Sequence, residues 1–164
     1  MRAQAKKNST DVDELIETEW KNRSKHGVIY DFTQKLNKNP KELEILGDGT
    51  QNKSYLYISD CINAILLTLQ KSKEQVEIYN IGSEDQAPVT TIAQIVTQEM
   101  GLKNVKFTYT GGVDGGRGWK GDVKNMFLDI TKLKAKGWKP KHSSAQAIKI
   151  ATQFILEEVL ADVG

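Results

Sequence analysis

After residue 130 the sequence carries helical periodicity and nothing that reads as a strand, and this limits the fold more than any other feature. Residues 129–137 read as a short helix opened by Asp129 and ended by Gly137. A longer helix follows Ser143 or Ser144 as cap, with Ala147, Ile148, Ala151, Phe154, Ile155 and Val159 forming one apolar stripe. The strand candidate VKFTYT, residues 105–110, is therefore the last in the chain. No later parallel strand is available to close a βαβ crossover.

That limit bears on what comes next. TYTGGVDGGRGWKGD, residues 108–122, holds Gly112, Gly115 and Gly118 at the spacing GxxGxxG. A dinucleotide cradle needs those glycines, a helix whose N-terminus faces the pyrophosphate, and a closing strand. Here Gly121 interrupts the helix and the strand is missing, so the cradle is the least supported reading. An ordinary loop, or a loop that binds an anion through its side chains, remains.

Upstream, residues 10–21 read as a helix capped by Thr10 or Asp11 with a thin apolar face of Val12, Leu15, Ile16 and Trp20. Val28, Ile29, Phe32 and Leu36 space a second helix over 26–37, ending before Pro40. LEIL and SYLYIS read as short strands around a GDGT turn. Ser59 or Asp60 caps the helix CINAILLTLQKS, and VEIYNIGS reads as another strand. Thr90 or Thr91 caps IAQIVTQEM, which Gly101 ends. The class is α/β, a small mixed sheet flanked by helices.

A chain of 164 residues suits one domain. Its single cysteine, Cys61, excludes an internal disulfide framework, and the absence of a signal-like or long apolar run leads us to expect a cytoplasmic protein without a membrane span. His26, His142 and Cys61 lack metal-ligand spacing, and no G-x-S-x-G elbow is present. The formal charge is +2, but residues 103–149 hold eleven Lys/Arg against three Asp. A cationic segment beside a glycine loop favours an anionic partner, or is simply a solvated lysine face.

Six segments then align with one family in order: HGVIYDF, LEILGDGTQNKSYLYISD, VEIYNIGSED, RGWKGDV, LDITKLKAKGWKP and the final helix. Together they resemble the C-terminal, substrate-binding half of extended short-chain dehydrogenase/reductases, nearest to NAD-dependent nucleotide-sugar epimerases of the UDP-glucose 4-epimerase type, with dehydratases close behind. The resemblance implies a substrate-binding domain over residues 23–164, lacking the Rossmann units, with residues 1–22 an unmatched helical arm. It implies that Lys53 stands for the family's usual arginine near the diphosphate of a UDP-sugar, that Arg117 is the diphosphate-binding arginine, and that Asp122 accepts hydrogen bonds from the ribose hydroxyls. Lys53 offers charge without a bidentate fork. The residues VDGG look like an insertion able to move Arg117, and Lys124 stands where the family often has proline.

The complete enzymes use NAD with a Tyr-x-x-x-Lys pair. Four residues after each of Tyr30, Tyr55, Tyr57, Tyr79 and Tyr109 stands a residue other than lysine. The chain is expected to hold no cofactor or catalytic residue of its own and to be catalytically incomplete. A half-enzyme would expose apolar surface, so self-association or a partner chain is expected, checked by a mass that rises with concentration in light scattering. The rival reading is an interaction module whose Lys132-to-Lys141 surface binds a polyanion. Against nucleic acid stand the scarcity of arginine and of interleaved aromatics. Trp119 is a candidate for stacking on a base or sugar, and Trp138 for packing.

Overall fold

The computed structural model describes residues 27–161. The expected helix over 10–21, and His26, lie outside them. In chain order the elements are α1 (Val28–Lys38), β1 (Glu42–Ile45), β2 (Asn52–Lys53), α2 (Ile58–Lys71), β3 (Ala87–Pro88), α3 (Val89–Glu99), β4 (Lys106–Tyr109), β5 (Asn125–Met126), α4 (Thr131–Ala135) and α5 (Ser144–Ala161).

The strands form two small sheets. β1 and β4 pair in parallel with Glu42 opposite Lys106 and Ile45 opposite Tyr109. In the other, β2 is central, antiparallel to β3 and parallel to β5. Alternation along β1 sends Leu43 and Ile45 inward, where they meet Phe32 and Leu36 of α1, Ile92, Ala93 and Val96 of α3, and Ile148 of α5. Each fully buried large apolar side chain in this cluster contributes about 1.5–3 kcal/mol relative to exposure. A second cluster joins Ala64 of α2 to Ile130, Leu133 and Trp138. Trp138 is thus the packing residue its sequence context favoured.

Some helix ends follow local chemistry, although the N-cap residues of α1 to α4 make no side-chain cap bond. Ser143 caps α5 in a reciprocal box: its hydroxyl accepts from the Gln146 amide at 3.2 Å, and its own amide donates to Gln146 Oε1 at 2.8 Å. Asp129 Oδ1 accepts from the Thr131 amide ahead of α4, and Gly101 follows α3 directly after its C-cap Met100. The α3 start differs from expectation. The helix begins at Val89 after Pro88, and Thr90 donates instead to the Gly49 carbonyl, because proline already sets the entry.

Several expectations need correction. VKFTYT is not the last strand, since the two-residue β5 follows it and pairs in parallel with β2. SYLYIS is not a strand: only Asn52–Lys53 pair, and Ile58 already opens α2, with Asp60 inside its first turn instead of capping it. VEIYNIGS is not a strand either: among the described residues no strand pairs with it, although Asn80 Nδ2 donates to the Asp129 carbonyl beside it at 3.0 Å. Val76 and Ile78 face outward, while Tyr79 and Ile81 pack on the second cluster. A β-branched run becomes a strand only where a partner completes its ladder. Phe154, placed in the buried stripe of α5, is exposed.

Ile58, Ile62, Ile65, Leu66 and Leu69 give α2 an exposed apolar face. No helix among the described residues is long and apolar enough to cross a membrane.

Candidate functional site

Lys53 sits on the central strand β2, so its backbone is held on both sides. Asn52 N donates to Lys124 O at 2.8 Å, Ser54 N donates to Met126 O at 3.0 Å, and the Gln51 carbonyl accepts from Val89 N at 2.9 Å. The parallel β2–β5 pairing brings the end of the glycine loop alongside. As a result, Lys53 Nζ lies 2.8 Å from Asp122 Oδ1, across 69 positions of sequence. The Asp122 side chain is 2% exposed and that of Lys53 25%. The other carboxylate oxygen of Asp122 accepts from the Gly118 amide at 3.2 Å, which folds RGWKGD into a tight turn. The same ammonium lies 5.7 Å from the centre of the Trp119 indole.

These three residues line a cavity of about 820 Å³ together with Tyr30, Gln34 and Lys38 of α1. Its floor includes Gln51 and Tyr55. Burial, and then the Asp122 charge, push the Tyr55 phenol above its ordinary value, so it stays a neutral donor and acceptor. Gln51 donates through Nε2 to the Leu46 carbonyl at 2.8 Å, while its buried Oε1 has no partner. The sequence offered no signal for Gln51 or Tyr55, because their role depends on a wall built by distant elements.

Arg117 is placed differently from its two expected companions. Its Nε donates to the Asp122 carbonyl at 3.0 Å and its Nη1 to the Asp114 carbonyl. It does not line the cavity. The VDGG residues hold its backbone, since Val113 and Arg117 exchange amide–carbonyl bonds of 2.9 and 2.8 Å. Arg117 therefore braces the loop that carries Asp122.

The glycines of this loop serve its own closure. Gly112 has φ +72° and a Cβ there would strike the Arg117 carbonyl; Gly116 has φ +91° and a Cβ there would strike the Asp48 carboxylate. No helix follows before Thr131. A dinucleotide cradle needs a helix N-terminus directly after its glycines, and this loop leads into β5 instead.

Lys124, at the position where the family often has proline, ties this loop to the β1–β2 turn. Its Nζ lies 2.7 Å from Asp48 Oδ2 and 2.6 Å from the Gly115 carbonyl. The Lys124 bond, then those from the Thr50 hydroxyl and amide, hold the Asp48 carboxyl far below its usual range. A depressed folded-state value means that this stabilisation is present above the unfolded carboxyl value of about 3.9 and fades as pH falls below it. Urea midpoints measured from pH 5 to pH 3 should fall, and more steeply for the native chain than for Lys124→Met. Equal slopes would show that the pair is not coupled to folding.

The other candidates resolve plainly. His142 Nδ1 lies 2.9 Å from Asp60 Oδ2 and its ring meets Tyr57 edge-on at 5.1 Å. Among the described residues no group of three or more His, Cys, Asp or Glu is placed to hold a metal. The lysine-rich face is largely occupied. Lys134 and Lys139 pair with Glu84, Lys136 pairs with Glu77, and Lys132 donates to the Ile78 carbonyl.

Comparison with known proteins gives one consistent family. The profile of the NAD dependent epimerase/dehydratase family matches residues 18–82. A Methanocaldococcus jannaschii protein provisionally named UDP-glucose 4-epimerase is 32% identical over 123 residues, which is 75% of this chain and 37% of that protein. A crystal structure of a UDP-galactose 4-epimerase is 37% identical, with a TM-score of 0.67 over 84% of this chain and 42% of that one. The UDP-glucose 4-epimerase of Thermotoga maritima, solved with UDP-glucose, is 28% identical, with a TM-score of 0.64 over 83% of this chain and 41% of that one. The chain thus spans about two fifths of the relatives it matches. Over that partial length it is related to the NAD-dependent nucleotide-sugar epimerases of the epimerase/dehydratase family.

Proposed function

We propose that residues 23–164 are the nucleotide-sugar-binding domain, the C-terminal half, of an enzyme of this family, and that the cavity beside α1 takes a UDP-sugar. The observation that carries the reading is the side-by-side placement of Lys53 and Asp122 on the cavity wall. An ammonium supplies charge for a diphosphate, and a buried carboxylate supplies acceptors for a pair of hydroxyls. Trp119, 57% exposed at the same wall, offers a flat apolar surface to a ring. Binding is what the chain's own residues offer: the Tyr-x-x-x-Lys pair is absent from the sequence, and no helix follows the glycine loop to face a pyrophosphate.

Calorimetric titration with UDP-glucose and UDP-galactose tests this. One site per chain is expected, with no heat from NAD. Arg117→Ala should weaken binding by about ten-fold, the size of one lost charge-assisted contact, here through loosening of the loop under Asp122. No heat from any UDP-sugar would sink the proposal.

A further inference from the structure

The Lys53 ammonium engages both groups on the cavity wall that a nucleotide would use. It lies 2.8 Å from Asp122 Oδ1 and 5.7 Å from the centre of the Trp119 ring. Asp122 Oδ2 is engaged as well, by the Gly118 amide. Neither oxygen of this buried carboxylate is without a donor.

We propose that Lys53 is a specificity-determining residue: it makes the anionic group of a ligand the condition for recognition of that ligand's hydroxyls by Asp122. The inference rests on the nucleotide-sugar reading and deepens it. Lifting Lys53 away leaves a carboxylate that is 2% exposed without its counter-charge, which is costly unless new donors arrive. A nucleoside brings hydroxyls but nothing to draw the ammonium off. A free pyrophosphate draws the ammonium but brings no donors for Asp122. Only a ligand carrying both completes the exchange, in which the ammonium moves from carboxylate to phosphate and hydroxyls take its place.

The side chain suits the task. Lysine is a point charge on a flexible stem, so it can change partners without the fixed fork that an arginine would have to match. Its backbone stays clamped in β2 while the ammonium moves.

The test compares uridine, pyrophosphate and UDP by calorimetry on the native chain, Lys53→Met and Asp122→Asn, each checked for folding by its melting curve. For the native chain, UDP binding well beyond that of uridine or pyrophosphate is expected. Lys53→Met should bind uridine about ten-fold more tightly and UDP at least ten-fold less tightly, each the size of one charge-assisted hydrogen bond. Asp122→Asn should bind pyrophosphate more tightly than the native chain and UDP less tightly, an arm that stands even if Lys53→Met fails to fold. UDP binding by the native chain with uridine unchanged or weakened in Lys53→Met, or with pyrophosphate unchanged or weakened in Asp122→Asn, overturns the gate alone. Absence of UDP binding to the native chain overturns the nucleotide-sugar reading and the gate with it.

Discussion

Asp60→Ala is expected to lower the unfolding free energy by about 3 kcal/mol, read as an earlier urea midpoint with an unchanged slope. The Asp60 side chain is 1% exposed, and its Oδ2 accepts from the amides of Lys141 and His142 at 3.1 and 3.0 Å and faces His142 Nδ1 at 2.9 Å. Alanine strands two partly buried amides, each worth about 1–3 kcal/mol when left without an acceptor. It also removes a negative charge from the first turn of α2, where the helix dipole favours one. The consequence reaches beyond α2, because the stranded amides immediately precede the capping box that starts α5. Asp60→Asn keeps an acceptor oxygen in place and should cost about 1 kcal/mol, the size of one ordinary hydrogen bond. A loss below about 1 kcal/mol for alanine would mean that water replaces the carboxylate and that the two helices are tied elsewhere.

The second large effect falls on ligand binding. Asp122→Ala should reduce UDP-sugar affinity by about a hundred-fold, since the acceptor we propose for the hydroxyls is lost and the Gly118 turn loses its lock. Stability should fall less, by about 2 kcal/mol, since Lys53 is a quarter exposed and its ammonium can be rehydrated when the partner goes. A titration in which affinity survives while stability falls would reassign Asp122 as a purely structural residue. The comparison with Arg117→Ala sharpens the point. Arg117 acts through the Asp122 carbonyl from outside the cavity, so its effect on affinity should be the smaller of the two.

Where the sequence was informative, the cause is local. α1 follows the spacing of Phe32 and Leu36, and α5 begins where Ser143 and Gln146 can exchange hydrogen bonds three residues apart. Such signals need only neighbours within a turn or two. The failures share the opposite cause. VEIYNIGS has the composition of a strand, but a strand is a ladder between two segments, and among the described residues no segment pairs with its backbone as a strand. Tyr55 and Tyr57 favour a pleated surface, yet one lines the cavity and the other meets His142 ahead of α2.

The site divides in the same way. The family resemblance carried by RGWKGDV and GDGTQNKSYLYISD pointed to Lys53, Arg117 and Asp122 by residue number. That two of them share an ion pair on a cavity wall, while the third braces the loop from behind, follows from the pairing of β2 with β5. No spacing in the sequence encodes a contact across 69 positions. By itself the sequence determined the α/β class, the principal helices and which side chains carry charge, because these depend on periodicity and short-range hydrogen bonding. The tertiary structure alone decided which charges meet, which carboxylates are shut away from water, and that Gly116 packs against Asp48, because each depends on a neighbour brought from far along the sequence.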